Sequence, residues 1–415
     1  MKCGLLGRKL GHSYSPQIHS HLGQYSYVLF EKEPDELPDF LRHGDFTGLN
    51  VTMPYKKDVI PHLDQLSPAA QKLGAVNTIV RRDDVLWGHN TDYFGFRSMV
   101  AKSGISVTGK KCLVLGSGGA SNTVVHVLQE LGAKVVVISR SGENNYENLH
   151  KHSDAAVIVN TTPVGMYPNT GVAPVQIDCF PALEGVLDVV YNPARTQLLL
   201  DAEERGIPAM NGLWMLVAQA KESAEWFIGH PIEDEKIDEI YQILRQQMEN
   251  IVLIGMPGSG KSTVGKALAD SAGKMFADAD EKIVEFAGKS IPEIFADDGE
   301  EVFRQWETAA LAELGKQSGL VIATGGGCVT QERNHPLLHQ NGTILWLQRD
   351  IEKLPTDGRP LSQAGKLAEM YTIRKPMYER FADRIVDNNG TLHATVASIV
   401  GHFHDQNEVP ACHPD

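Results

Sequence analysis

Ile251-Val-Leu-Ile-Gly-Met-Pro-Gly-Ser-Gly-Lys-Ser-Thr263 is an apolar run that breaks at a glycine turn and continues into a helix-like pattern. A buried strand, a tight turn and a helix start are the opening of a βαβ nucleotide-binding unit. Within it, Gly255-x-x-x-x-Gly260-Lys261-Ser262 has the P-loop spacing. The backbone N–H groups of such a turn cradle phosphates, the lysine reaches the β- and γ-phosphates, and the serine hydroxyl ligates Mg²⁺. Gly258, Gly260, Lys261, Ser262 and Thr263 are therefore candidate ATP contacts, with Ser262 also a metal ligand. The same grammar occurs earlier: the run Lys111–Leu115 leads into Gly116-Ser-Gly-Gly-Ala-Ser121, with a helical pattern over 123–131. Two such openings predict two nucleotide sites in two α/β domains.

Size and composition agree. A chain of 415 residues exceeds what one hydrophobic core supports, and 42% hydrophobic with 22% charged residues is ordinary for a globular protein. The formal net charge of -14 argues against nucleic acid or an anionic membrane as partner. The five cysteines, Cys3, Cys112, Cys179, Cys328 and Cys412, show no metal-ligand spacing and read as reduced thiols. His402, His404 and His413 read as part of a polar terminus rather than a metal site. The first residues, MKCGLLGRKLGHSYSP, lack a signal-peptide core, and no run of 18 apolar residues occurs. A cytoplasmic location is expected. The pattern at 232–249 predicts an amphipathic helix with Ile237, Ile240, Tyr241 and Leu244 on one face, joining the halves without a loose linker.

In the first half, Gly116-x-Gly118-x-x-Ser121 matches a dinucleotide fingerprint at its first two glycines, with Gly119 and Ala120 completing the turn. An ordinary glycine turn has the same letters. The next run, Lys134–Ile138, ends in Ser139-Arg140-Ser141 and carries no acid for a ribose 2′-hydroxyl. Arg140, about 24 residues after the first glycine, suits a 2′-phosphate and so NADP; a solvated surface arginine is the alternative. Lys56 and Asp92 are suited to reducing a ketone, one as a cation at the carbonyl oxygen and the other as a carboxylate that orients it. In isolation they would read more often as a surface ion pair.

The first half carries, in order, His12-Ser-Tyr-Ser-Pro16, Gly48-Leu-Asn-Val-Thr-Met-Pro-Tyr-Lys56, Gly74-Ala-Val-Asn-Thr78 and Asn90-Thr-Asp-Tyr-Phe-Gly95. Asn160-Thr-Thr-Pro-Val-Gly-Met166, Asp188-Val-Val-Tyr-Asn-Pro193 and Gly212-Leu-Trp-Met-Leu-Val-Ala-Gln219 continue the series. In this order the motifs resemble shikimate dehydrogenases over about residues 1 to 247. The resemblance implies that Lys56 and Asp92 are catalytic. It implies that Ser13 and Ser15 hold the substrate carboxylate, that Thr52, Asn77, Tyr191 and Gln219 contact carboxylate and ring hydroxyls, and that Gly212 lies at the cofactor. Two departures stand out: the segment between Ser141 and Asn160 is short, as though part of the second βαβ unit were trimmed, and so is the loop after Pro16.

In the second half, Asp278-Ala-Asp280, Gly299-Glu-Glu-Val-Phe-Arg304, Gly325-Gly-Gly327, Gly358-Arg-Pro-Leu361 and Arg374-Lys-Pro-Met-Tyr378 resemble shikimate kinases over about 249 to 390. Taken singly, the two aspartates read as a helix N-terminal charge pair and Arg304 and Arg374 as solvated helix residues. The resemblance implies that Asp278 supports Mg²⁺ through water and that Asp280 bonds the acceptor hydroxyls and takes a proton. Arg304, Arg374 and the Gly326 backbone would hold a carboxylate, and Arg359 would come from a lid onto the transferring phosphate. The lid segment 351–359 is short, and the second arginine often seen before Arg359 is replaced by Leu354-Pro-Thr-Asp-Gly358.

The expected architecture is α/β throughout. A substrate subdomain over 1–98, completed by 213–247, surrounds a Rossmann subdomain at 99–212, and a P-loop kinase domain with a five-stranded parallel sheet occupies 249–415. The expected reactions are NADPH-dependent reduction of 3-dehydroshikimate and ATP- and Mg²⁺-dependent phosphorylation of shikimate, by a monomer or homodimer. Two rivals are a quinate/shikimate dehydrogenase that uses NAD and a non-catalytic, shikimate-sensing regulator. The intact Lys56, Asp92, Lys261 and Asp280, with no helix-turn-helix pattern, argue against the regulator.

Overall fold

Three sheets organise the chain. The computed structural model describes residues 1–11, 13–354 and 364–405. His12, Arg359, Cys412 and His413 lie outside them. The contacts divide the chain into two compact units. Unit 1 comprises Met1–Val164, Ala173–Tyr191 and Asp201–Ile243; unit 2 comprises Gly165–Val172, Asn192–Leu200 and the described residues from Leu244 onward.

The first sheet of unit 1 contains β1 (Lys2–Gly7), β2 (Ser26–Glu31), β3 (Gly48–Val51), β4 (Gln65–Leu66), β5 (Thr78–Arg82) and β6 (Val85–His89). Their order is β2-β1-β3-β5-β6-β4. β2, β1 and β3 run parallel, whereas β5 is antiparallel to both β3 and β6. The β1–β3 register aligns Leu6 with Val51, so the loops that carry Ser13, Ser15 and Thr52 leave from neighbouring strand ends.

The second sheet contains β7 (Lys111–Leu115), β8 (Lys134–Ile138), β9 (Val157–Asn160), β10 (Gly185–Asp188) and β11 (Ala209–Met210), in the order β11-β10-β9-β7-β8, all parallel. Cys112, Leu113, Val114 and Leu115 are buried, as expected for a parallel strand covered on both faces. The chain passes from β7 to β8 on one side and then to β9 on the other. The carboxyl end of β7 is thus a switch point, where open parallel sheets bind ligands. The short segment after β8 contains a 3₁₀ stretch, Tyr146–His152, and no α-helix before β9.

Unit 2 is built on β12 (Asn250–Ile254), β13 (Met275–Asp278), β14 (Leu320–Ala323), β15 (Gly342–Gln348) and β16 (Arg384–Asp387). The order β13-β14-β12-β15-β16 is parallel throughout, as the sequence predicts. β12 is central and wholly buried, so its glycine turn opens in the middle of the carboxyl edge. The amphipathic helix expected at 232–249 spans Glu235–Met248; Ile237, Ile240 and Leu244 are buried, and Tyr241 packs edge-on against Trp214 at 5.4 Å. The division between units falls within this helix. No helix among the described residues is long and apolar enough to cross a membrane.

Candidate active sites

In unit 1, Lys56 and Asp92 form a direct pair: the Lys56 ammonium donates to Asp92 Oδ2 at 2.6 Å. Asp92 opens the helix Asp92–Ser103, whose N-terminal dipole favours a carboxylate there. Its second oxygen accepts from Asn77 Nδ2 at 2.9 Å. Asn77 is buried between β3 and β5, and its Oδ1 accepts from the Thr91 backbone N–H at 2.8 Å, which fixes the sense of the amide. Lys56 is tied to the same place because its carbonyl accepts from Val76 N at 2.8 Å. Gln219 joins from the helix Leu213–Ile228, with Thr91 Oγ1 donating to its Oε1 at 3.3 Å. That helix approaches Asp92–Ser103 so closely at Gly95 that a Cβ would lie 2.8 Å from the Met215 carbonyl and 2.9 Å from Gln219 Cβ.

The remaining candidates of this site are arranged less directly. Ser13 Oγ accepts from Ser15 N at 3.2 Å, and Tyr14 between them meets Tyr191 edge-on at 6.2 Å. Burial raises the pKa of the Tyr191 phenol. Thr52 is held by its N–H to Leu6 O, 3.0 Å.

The dinucleotide turn has the required shape. Gly116 has φ 104°, and a Cβ there would press on Thr161 and Thr162. Gly118 is extended and caps the helix Gly119–Glu130, which begins four residues before the expected 123 because the glycine turn itself supplies its first turn. Nothing stands within 4 Å of a Cβ on Gly118 or Gly119, which leaves that face open to a pyrophosphate. Ser121, in place of a third small residue, donates to Gly116 O at 2.8 Å and closes the turn. Arg140 is exposed just past the end of β8, close enough to Tyr146 to lower the phenol's pKa, although burial raises it overall. Gly212 is required for packing, since a Cβ would fall on the Val189 backbone.

In unit 2 a cavity of 790 Å³ opens at the carboxyl edge of the sheet. Gly255, Gly258 and Gly260 all have positive φ, which is the conformation that lets successive N–H groups point inward. Lys261 is 9% exposed and donates to Gly255 O at 2.9 Å and Met256 O at 3.1 Å. Ser262 Oγ donates to Asp278 Oδ2 at 2.8 Å; a hydroxyl and a carboxylate at this separation suit Mg²⁺ through direct and water-mediated ligation. Asp278 also caps the helix Ala279–Ala287, accepting from Asp280 N at 2.9 Å.

Opposite the P-loop, Arg304 donates to Glu307 Oε2 at 2.7 Å and to Glu300 Oε1 at 3.1 Å. Burial works against the Arg304 charge, but Glu307 and Glu300 outweigh it and raise its pKa. Burial pushes the Glu307 carboxyl up, and the guanidinium pulls it partly back. Arg374 Nη1 donates to Gly326 O at 3.1 Å, and the Tyr378 hydroxyl donates to the same carbonyl at 2.5 Å. The glycines of 325–327 thread between these groups. A Cβ on Gly325 would lie 2.9 Å from Glu307 Oε1 and 3.1 Å from Asp280 Oδ1, and one on Gly326 would strike Pro257.

Residues 5–79 match the family model described as the shikimate dehydrogenase substrate binding domain, and residues 257–403 match the shikimate kinase model. A shikimate dehydrogenase (NADP(+)) of Clostridium perfringens strain 13 is 34% identical over 264 residues, 58% of this chain and 97% of that protein. The chain belongs to the shikimate dehydrogenase family. Its second half carries a shikimate kinase domain, so one polypeptide joins the two enzymes. Among solved structures, a chorismate mutase/shikimate 5-dehydrogenase fusion protein from Clostridium acetobutylicum is 37% identical. It covers 59% of this chain and 97% of its own, with a TM-score of 0.57. A shikimate 5-dehydrogenase from Thermus thermophilus, in complex with NADP(H) and shikimate, is 31% identical, covering 59% and 99%, with a TM-score of 0.54.

The dehydrogenase half thus brings Lys56, Asp92 and Asn77, with Gln219 through Thr91, into one bonded group, while Ser13 is bonded to Ser15 and Tyr191 meets Tyr14 between them. The kinase half gathers Lys261, Ser262, Asp278, Asp280, Arg304 and Arg374 around one cavity. Sequence reasoning missed Glu307, which is 0% exposed and lines the same cavity. Its position three residues after Arg304 on one helix was the available signal. Thr91 and Ser223 were also missed, because their hydroxyls matter only through contacts across the sheet.

Proposed function

We propose that the chain reduces 3-dehydroshikimate to shikimate with NADPH and then phosphorylates shikimate with ATP and Mg²⁺. The observation that carries the first step is the bonded Lys56–Asp92–Asn77 group, in the same unit as an open dinucleotide turn. The Gly116–Ala120 turn and Arg140 would hold NADPH, which would supply the hydride to the carbonyl carbon. Lys56 gives a proton to the carbonyl oxygen, and Asp92 holds the ammonium and accepts from a neighbouring ring hydroxyl. Ser13 and Ser15 take the carboxylate, with Thr52, Asn77, Tyr191 and Gln219 completing the enclosure.

In the second step Asp280 takes the proton of the attacking hydroxyl, and Lys261 stabilises charge on the transferring phosphoryl group. Ser262 and, through water, Asp278 would hold Mg²⁺, which would supply positive charge against the phosphates. Arg304, Arg374 and Gly326 orient the carboxylate. Residues 1–98 with 213–247 serve substrate binding, 99–212 serve NADP binding and 249–415 serve phosphoryl transfer. The reading is tested by supplying purified protein with 3-dehydroshikimate, NADPH and ATP·Mg²⁺ and identifying products by mass. Shikimate 3-phosphate with stoichiometric NADPH oxidation is expected; no oxidation, or NADPH oxidation without phosphate transfer, overturns it in whole or in half.

The cofactor preference is carried by Arg140, exposed beyond β8. Arg140→Ala is expected to raise KM for NADPH about ten- to a hundredfold, the scale of a charge-assisted contact to phosphate, while KM for NADH stays near wild type. Equal changes for the two cofactors would assign Arg140 elsewhere and favour the NAD-using reading.

A further inference from the structure

We infer that Tyr27, Asn50 and Ser223 are positioning residues, joined in a buried hydrogen-bonded chain that runs from Tyr27, packed on the helix Ser15–Ser20, to Asp92. The inference rests on the roles proposed above for the Lys56–Asp92 pair.

Ser223 is the hub. It is 0% exposed and lies one turn beyond Gln219 on the helix Leu213–Ile228. Its Oγ lies 2.8 Å from Asn50 Nδ2, 2.8 Å from Thr78 Oγ1, 3.0 Å from Thr91 Oγ1 and 2.9 Å from Gln219 O. A hydroxyl has one proton and two lone pairs. Asn50 Nδ2 can only donate, so the single Ser223 proton and the Thr78 and Thr91 hydroxyls must settle together into one compatible arrangement. Thr91 passes that arrangement on: its Oγ1 accepts from Asn77 Nδ2 at 3.0 Å, and the same Nδ2 donates to Asp92 Oδ1 at 2.9 Å.

The other end runs outward through Asn50. Tyr27 OH donates to Asn50 Oδ1 at 2.8 Å, which fixes the amide with its nitrogen toward Ser223. Tyr27 packs against the helix Ser15–Ser20. Its ring is clamped by a stack on His19, centroids 4.1 Å apart and planes 9° from parallel. Burial holds the Tyr27 phenol well above its ordinary pKa, so it remains a donor at working pH. Asn50, Thr78 and Thr91 are all buried, so bulk water cannot substitute for a missing link. The chain orients the carboxylate that holds Lys56, and it does so from a tyrosine packed on the helix that Ser15 opens.

The test uses the full chain and steady-state kinetics of both activities. Tyr27→Phe and Ser223→Ala each remove one hydroxyl with little change of shape. Each is expected to lower dehydrogenase kcat about tenfold, and the double variant to be no worse than the poorer single, because one broken chain cannot be broken twice. Thr78→Val should behave like them and Thr78→Ser should restore kcat. Shikimate phosphorylation should stay at the wild-type rate in every sample. Wild-type kcat in Tyr27→Phe, or a double variant whose loss is the product of the singles, overturns the inference. If Ser223→Ala does not fold, Thr78→Val takes its place in the cycle. A wild-type chain that does not reduce 3-dehydroshikimate would instead remove the underlying functional reading.

Discussion

Replacing Lys56 by alanine is expected to lower dehydrogenase kcat by about 10²–10⁴, the usual contribution of a positioned proton donor. The ammonium is 2.6 Å from Asp92 Oδ2, and that carboxylate is held from behind by Asn77, so the pair is set in one geometry. Alanine removes both the proton for the ketone oxygen and the positive charge that stabilises it. It also leaves Asp92 as an unbalanced anion facing a developing alkoxide, so neighbouring groups cannot compensate. Lys56→Arg separates the two contributions. Arginine keeps the charge but does not release its proton, so it should stay within about tenfold of the alanine variant. NADPH oxidation is followed at saturating 3-dehydroshikimate, and phosphorylation of added shikimate by the same sample serves as the folding control. Near-wild-type reduction by Lys56→Ala would place the proton donor elsewhere.

Lys261→Ala is expected to lower kinase kcat by about 10³, the scale of losing a principal donor to transition-state charge. The side chain is almost wholly enclosed, with its ammonium at the Gly255 and Met256 carbonyls inside the phosphate-binding turn. No other ammonium group is built into that turn, whose remaining donors are backbone N–H groups and the Ser259, Ser262 and Thr263 hydroxyls. ATP consumption coupled to shikimate should fall, while NADPH-dependent reduction continues at the wild-type rate. Phosphorylation that survived the change would mean that the 790 Å³ cavity is not the catalytic nucleotide site.

Much of this was legible in the amino-acid order. Both strand–glycine turn–helix openings were legible because their geometry is local: a buried strand, glycines at positive φ and a helix N-terminus occur within a dozen residues. The all-parallel sheet of unit 2 was equally legible, since continuous apolar runs separated by helical patterns leave few other arrangements. The motif series also singled out Lys56, Asp92, Asp280, Arg304 and Arg374 without showing why they belong together.

Tertiary structure decided the rest, because the deciding contacts join residues far apart in the chain. Lys56 meets Asp92 across 36 positions, and Asn50 meets Ser223 across 173; neither helical nor strand periodicity carries information over such separations. Burial is likewise a property of the packed molecule. Glu307 reads as one more acid on an amphipathic helix until the fold encloses it against Arg304 and the glycines of 325–327. The segment between Ser141 and Asn160 read as a trimmed βαβ unit; folding showed what remains, a 3₁₀ stretch with an Asn145 cap that spans the gap between β8 and β9. Local sequence therefore determined the phosphate-binding turns, whose geometry is set by backbone dihedrals. The polar groups behind the substrate were set by the approach of strands and helices, and their roles depend on distances that exist only in the folded protein.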